Sequence, residues 1–310
     1  MRRTGVFLVS LLLASIAVFA FMSVLPGDPA QVALGVQADP EAVAQMRARF
    51  GTDRPLVVQY LDWVGGLPTG DFGTSYVTQA VIGPQIVDRF LVTLWLVATG
   101  MVIAVVIAVP VGVVAAVRHR EPSGALLSGA SQVGIAIPNF LAGMLLIAVF
   151  AVHWRVFPAG GWTPPVDDPQ RFLRGLVLPA VSLGLVQAAV LARYVRSAVL
   201  DVLRQDFIRT ARAKGLGPYR ALVRHGMRNA AIPVVTVLGL QLATLLIGAV
   251  VVERVFVIPG LGSLLLDGVA NRDLLLVQGV VMVLVVAVLL VNYLVDLLYV
   301  VIDPRLRRGQ

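Results

Sequence analysis

The chain has 310 residues, of which 58% are hydrophobic and 14% charged, with a mean hydropathy of +0.88. So little polar surface cannot cover a soluble globule of this length, which excludes the soluble fold classes and leaves the bilayer as solvent. There is no cysteine, so disulfides, thiolate metal centres and cysteine nucleophiles are excluded as well, and the net charge of +8 is concentrated in one stretch rather than spread.

Taken in order, Arg2 and Arg3 precede an uninterrupted apolar or small run over 6–25 that ends at Pro26-Gly27-Asp28-Pro29. A helix needs about 20 apolar residues to cross roughly 30 Å of hydrocarbon, and a signal-peptide core has only about 7 to 15. The run is therefore expected to be an uncleaved first span. Residues 26–90 are polar and punctuated, with Asp28, Asp39, Glu41, Asp53, Asp62, Asp71 and Asp88 against Arg47, Arg49, Arg54 and Arg89, a net of −3. Asp39 before Pro40, with Gly51 as a stop, predicts a short amphipathic helix over 39–50. The GGLPTGDFGTSY stretch from Gly65 is too broken for regular structure. Its glycines follow no strand and precede no P-loop lysine, so it does not read as a phosphate cradle.

Apolar spans follow over 91–117 and 124–152, separated by the basic turn Arg118-His119-Arg120. Ser131, Gln132, Pro138 and Asn139 interrupt the third span. Helix-to-helix hydrogen bonding accounts for such residues, and Asn139 beside the proline is also a candidate for a translocation path. Residues 153–174 form a Pro- and Gly-rich external loop with Trp154 and Trp162 near the interface. The fourth span covers 175–191, and the fifth, 232–252, has Thr236, Gln241 and Thr244 as its only polar side chains. Gln241 and Thr244 join Asn139 as candidate pathway residues. A loop over 253–273 contains PGLGS, and the sixth span runs over 274–302, where Asn292 and Asp296 read as a structural pair near its inner end. The expectation is an all-α polytopic membrane protein of six transmembrane helices. Residues 1–25 are the first helix, 26–90 an extracytoplasmic segment and 91–310 a five-helix core. Every basic stretch, at 2–3, 118–120, 193–228 and 305–308, then falls on one face, which puts both termini in the cytoplasm.

The longest of these stretches holds eight arginines and Lys214 against Asp201 and Asp206, a net of +7. At 100° per residue, Val199, Leu200, Leu203, Phe207 and Ala211 share one side of a helix over 199–212, with Asp201, Gln205, Arg209 and Arg212 opposite. Ile208 is expected on the polar side, as an apolar contact for a partner protein. Gly215 and Gly217-Pro218 break this helix, and a second resumes over 219–228, giving an elbow within a loop over about 193–230. Topology and anionic headgroups explain the charge without any partner. Nucleic-acid binding is set aside because no motif or aromatic interleaving accompanies the arginines.

QDFIRTARAKGL, followed by RHGMRNAAIPVVT, resembles the cytoplasmic loop of bacterial ABC importer permeases of the dipeptide, oligopeptide and nickel type. So do PGDPA at Pro26, QYLDWVGGLPTGDFGTSY from Gln59, VVVERVFVIPGLGSLL from Val250 and VDLLYVVIDPRLR from Val295, blocks that cover nearly the whole chain. Aligned on Gly215, the Glu-Ala-Ala pattern of the wider superfamily falls on Arg209, Thr210 and Ala211. The acidic residue is thus replaced by Arg209, and the Ile-x-Leu-Pro positions read His225, Gly226, Met227 and Arg228, both as expected of the peptide and nickel branch. The resemblance implies a type I importer permease (MetI-like) fold in the bacterial inner membrane. It also implies a second homologous permease, two cytoplasmic ATP-binding subunits or a fused pair, and an extracytoplasmic substrate-binding protein. ATPase coupling is assigned to Ile208, Arg209, Thr210, Ala211, Arg212, Ala213, Lys214, Gly215 and Leu216, with Ile208 and Leu216 as apolar contacts. Peptides are the expected cargo, with nickel, glutathione or haem as alternatives. No cofactor and no metal are expected.

The residues argue against the rival classes. There is no G-x-x-x-x-G-K-[ST] motif for ATP, and His119, His153 and His225 fall in loops on different faces, with no H-E-x-x-H site or histidine cluster expected. An ion-coupled secondary transporter would need mid-membrane carboxylates, and Asp296 is the only acidic residue deep in a span.

Overall fold

The computed structural model describes residues 2–25, 27–35 and 38–302; Arg305 to Arg308 lie outside them. The regular elements among the described residues are helical, apart from one isolated bridge between Thr74 and Val81. Helix α1 (Arg2–Val24) is the first span. Three short helices follow it, α2 (Pro29–Leu34), α3 (Pro40–Phe50) and α4 (Leu56–Gly66). The helix expected over 39–50 is α3. The Asp39 carboxylate accepts from the Glu41 N–H, Pro40 opens the helix, and Gly51 closes it at φ +69°.

The long helices are α5 (Ile82–Val117), α8 (Pro169–Leu203), α11 (Met227–Val255) and α13 (Leu274–Ile302). Helices α5, α8 and α11 run past the expected spans, because apolar content marks the hydrocarbon layer and not where the backbone stops being helical, whereas α13 keeps the expected bounds. The segment expected as the third span is not straight. Helix α6 (Pro122–Ala136) and helix α7 (Asn139–Leu146), which continues as a π-helical turn to His153, meet at 100°. Ile137 is extended at ψ 120° because the following proline disfavours the helical region, and Pro138 is extended too at ψ 143°.

The described chain forms two compact units. The first comprises residues up to Thr93 with Pro259–Leu290, the second Leu94–Ile258 with the residues from Val291 onward. In the first, a helix absent from the sequence expectations, α12 (Leu261–Ala270), packs Leu261 and Leu264 against Ile82, Ile86, Leu276 and Val280. Thr93 Oγ1 accepts the Leu261 N–H at 2.8 Å. Buried Asp273 caps the start of α13 and also accepts from the Ser75 hydroxyl and, at 3.3 Å, from the Tyr76 N–H, which ties 67–81 to α13. Burial, and secondarily the Asp273 carboxylate, hold the Tyr76 phenol above its ordinary pKa.

In the second unit α8 is the central element, with α6, α7 and α11 packed on it. Small residues let the backbones approach. A Cβ on Gly112 would lie 2.7 Å from the Ala192 carbonyl oxygen, and one on Gly184 would lie 2.8 Å from that of Gly100. Ala104, Ala108, Ala188, Leu191, Val195 and Val199 fill the core between α5 and α8.

Candidate functional site

Helix α8 stops at Leu203 and Gln205 is extended at ψ 149°, so the next helix, α9 (Asp206–Ala213), starts in a new phase. That break corrects the expected surface. Ile208 is 0% exposed and Ala211 is buried, whereas Phe207 is 41% exposed. Ile208 is therefore not an exposed contact for a partner. A Cβ on Gly226 would come within 2.8 Å of Val202, 2.9 Å of Leu222 and 3.4 Å of Ile208, which puts all three side chains round this glycine. Leu216 is likewise half-buried against the same core.

The end of α9 is a Schellman motif. The Leu216 N–H donates to the Ala211 carbonyl at 3.3 Å and the Gly215 N–H to the Arg212 carbonyl at 3.0 Å, with Gly215 at φ +91°. The expected elbow glycine is thus a left-handed cap, and nothing lies within 4 Å of where its Cβ would be. Beyond it, α10 (Pro218–Ala221) passes through a π-turn over Leu222–Gly226 into α11, so the second arm of the elbow is the foot of α11. Arg209, Thr210, Arg212, Ala213 and Lys214 form the exposed face of α9. Arg209 and Arg212 border a shallow depression floored by Gly215, Leu216 and Pro218. Asp206 pairs with Arg209 at 3.3 Å, but both side chains are largely exposed and the pair adds little.

Of the three candidate pathway residues, Asn139 meets α11 at Gly248, and Gln241 and Thr244 lie earlier on the same face of that helix. Asn139 opens α7, where its backbone carbonyl accepts from Ser182 Oγ at 2.8 Å and its Oδ1 is buried without a partner. Its Nδ2 would lie 2.7 Å from a Cβ on Gly248 of α11. Gln241, seven residues earlier on that helix and so about 10 Å along its axis, is buried with neither amide atom bonded. Thr244 is exposed and returns its hydroxyl to the Leu240 carbonyl at 3.2 Å. Orphaned amides at membrane depth are costly unless water or a passing solute reaches them.

Two polar features escaped the sequence reading. One is the Asp273 clamp, whose only local signal is an aspartate immediately before an apolar run. The other is a cavity of about 440 Å³ in the first unit, bordered by Phe19, Trp63, Phe72, Tyr76, Arg49 and Gln278. It is assembled from segments distant in sequence and has no local signal at all.

Residues 1–97 match the family model for the N-terminal part of binding-protein-dependent transport system membrane components, and residues 108–308 match the model for binding-protein-dependent transport system inner membrane components. The glutathione transport system permease proteins GsiC of Salmonella typhimurium (strain LT2) and Escherichia coli (strain K12) are each 42% identical to the chain over 301 residues, covering 96% of it and 95% of their own length. A chain of the methionine ABC transporter MetNI, solved in inward-facing conformations, matches with a TM-score of 0.58 at 20% identity, over 70% of this chain and 96% of that one. At that identity the likeness concerns the fold alone.

Proposed function

The chain belongs to the family of binding-protein-dependent transport system inner membrane components, the permeases of ABC importers, and from that premise we propose that it forms half of an inward pathway for small peptides, glutathione among them. The observation that carries the cargo class is 42% identity to glutathione permeases along 96% of the chain. A second homologous permease supplies the other half of the pathway, and an extracytoplasmic binding protein delivers the peptide. Two ATP-binding subunits, or a fused pair, hydrolyse the nucleotide. The chain itself carries no nucleotide motif and acts by moving its helices.

The same reading fixes an orientation. Arg118 to Arg120 and the arginines around α9 are both cytoplasmic if α6 and α7 together cross the membrane once. If the bent pair returned to the side it left, α8 would carry the α9 loop to the outside and break the charge rule. With α9 inside, its exposed face from Arg209 to Lys214 meets an ATP-binding subunit, and closure of those subunits moves α8 and α11 as packed bodies.

The test is reconstitution of the chain with its partner permease, ATP-binding subunits and binding protein in proteoliposomes. Labelled glutathione and a labelled dipeptide are expected to accumulate only with ATP and the binding protein. Ala213→Glu, on the exposed side of α9, is expected to reduce uptake at least tenfold while the complex still assembles. ATP-independent uptake, or unchanged coupling in that variant, would overturn the reading.

A further inference from the structure

Between α5, α6 and α8 lies a small cavity of about 40 Å³, walled by Gly112 of α5, by Ser128, Ser131 and Gln132 of α6, and by Arg193 and Arg196 of α8. We propose that it binds the phosphate of an anionic phospholipid from the cytoplasmic leaflet. Arg193 and Arg196 are three residues apart and share one face of α8. Among the described residues neither forms an ion pair. Arg196 Nε is buried with no hydrogen-bond partner. Arg193 Cζ lies 5.3 Å from the centre of the Tyr194 ring, which is attractive but supplies no counter-charge. No carboxylate borders the cavity.

Arg193 is exposed and Arg196 half-buried, so the pair carries positive charge with no acid beside it, and an anion entering the cavity neutralises that charge and meets the buried Nε. The lining suits an oxyanion. Arginine offers several N–H donors in a fixed fork, and Gln132 adds an amide. The Ser128 and Ser131 hydroxyls now donate to the Gly124 and Leu127 carbonyls at 2.8 and 3.0 Å, and rotation about χ1 re-aims them. The volume admits one phosphate-sized group and no peptide.

Depth selects the source of that phosphate. Gly112 lies five residues before the end of α5 at Val117, and Arg196 seven before the end of α8 at Leu203. At about 1.5 Å per residue both are roughly 8 to 10 Å from the helix ends, one or two turns below the Arg118–Arg120 turn. That is where headgroup meets acyl chain, and basic pockets between helices at this level on the cytoplasmic side hold lipid headgroups. Leu126 and Val133 of α6, 74% and 65% exposed, supply apolar surface for the chains. The walls are closely packed. Gly112 sits against the Ala192 backbone, and a Cβ on Gly134 would lie 2.8 Å from that of Ala189.

The cytoplasmic assignment rests on the orientation proposed above, but binding can be measured without it. The full chain is purified in detergent, and its thermal midpoint is followed with short-chain phosphatidylglycerol, phosphatidylcholine, inorganic phosphate or glutathione. Phosphatidylglycerol is expected to raise the midpoint by several degrees and phosphatidylcholine not to. The Arg193→Gln/Arg196→Gln variant is expected to lose that response, as is Ser131→Leu, which fills the cavity without removing charge. Arg224→Gln, the loss of an exposed charge elsewhere, is expected to keep it. An equal response to phosphatidylcholine, or an undiminished one in both cavity variants, overturns the proposal. So does the full shift with inorganic phosphate alone or with glutathione, which would assign the cavity to a soluble ion or to cargo. A phosphatidylglycerol response that persists while the orientation fails would leave the site standing in the other leaflet's frame and overturn only its cytoplasmic assignment.

Discussion

Val257 occupies the position at the end of α11 that Gly215 occupies at the end of α9. The Ile258 N–H donates to the Glu253 carbonyl at 2.8 Å and the Val257 N–H to the Arg254 carbonyl at 3.4 Å, the same Schellman pair, with Val257 at φ +52°. Left-handed backbone costs a residue with a Cβ about 1–2 kcal/mol, and more for a β-branched one. Glycine gives back about 0.5–1 kcal/mol of that advantage in unfolded-chain entropy. Val257→Gly is therefore expected to stabilise the chain by about 0.5–1 kcal/mol, read as a raised unfolding midpoint in detergent. Gly215→Val is expected to lower stability by about 1–2 kcal/mol and Gly215→Asn by much less, since asparagine tolerates this region. The Gly215 cap is legible in the sequence because the residue type announces the conformation. The Val257 cap is not, because its left-handed turn is held by the buried Ile258 that follows and by Phe256, whose carbonyl accepts the Gly161 N–H at 2.8 Å.

At the scale of elements, hydropathy locates the spans but is blind to backbone angle and to phase. It registers Pro138 as an interruption, yet the 100° turn depends on ψ at Ile137 and Pro138. Periodicity counted from Val199 carries through Arg204 and Gln205, where the helix stops, and so puts Ile208 on the wrong side. PGLGS, which leads into α12, signals a loop, although Leu261 to Ala270 is apolar enough to be buried. Close helix contacts are equally hidden, since nothing near Gly112 in sequence reveals that Ala192 faces it. Gly112→Leu is expected to destabilise the chain by about 1–3 kcal/mol, because the obstacle is backbone and cannot swing aside. Gly129→Leu, inside α6 with nothing within 4 Å of the added Cβ, is expected to stabilise the chain by about 0.5–1 kcal/mol. Thermal unfolding of the two variants side by side checks the contrast.

For the whole molecule, the sequence carried the fold class and family outright, because spans, charge and motif blocks are long-range regularities that survive local misreading. Orientation can be tested with little background, since the chain has no cysteine of its own. Val166, 88% exposed, and Val57, 69% exposed, fall outside in the proposed topology, while exposed Ala213 falls inside. In intact cells a membrane-impermeant maleimide is expected to label Val166→Cys and Val57→Cys, and Ala213→Cys only after permeabilisation. Labelling of Ala213→Cys from outside would reverse the orientation.

The burial of Ile208 bears on how force passes through the molecule. A loop that merely touched a partner would act as a tether, taking up slack before anything moved. Ile208 instead seats α9 in a socket formed by Val202 at the base of α8 and Leu222 and Gly226 at the base of α11. Protein interiors are packed as densely as crystals and compress very little, so a push on the outer face of α9 reaches both spans almost undiminished. In the coupling role proposed for it, α9 is a crank, and the stiffness of its socket sets the length of the stroke.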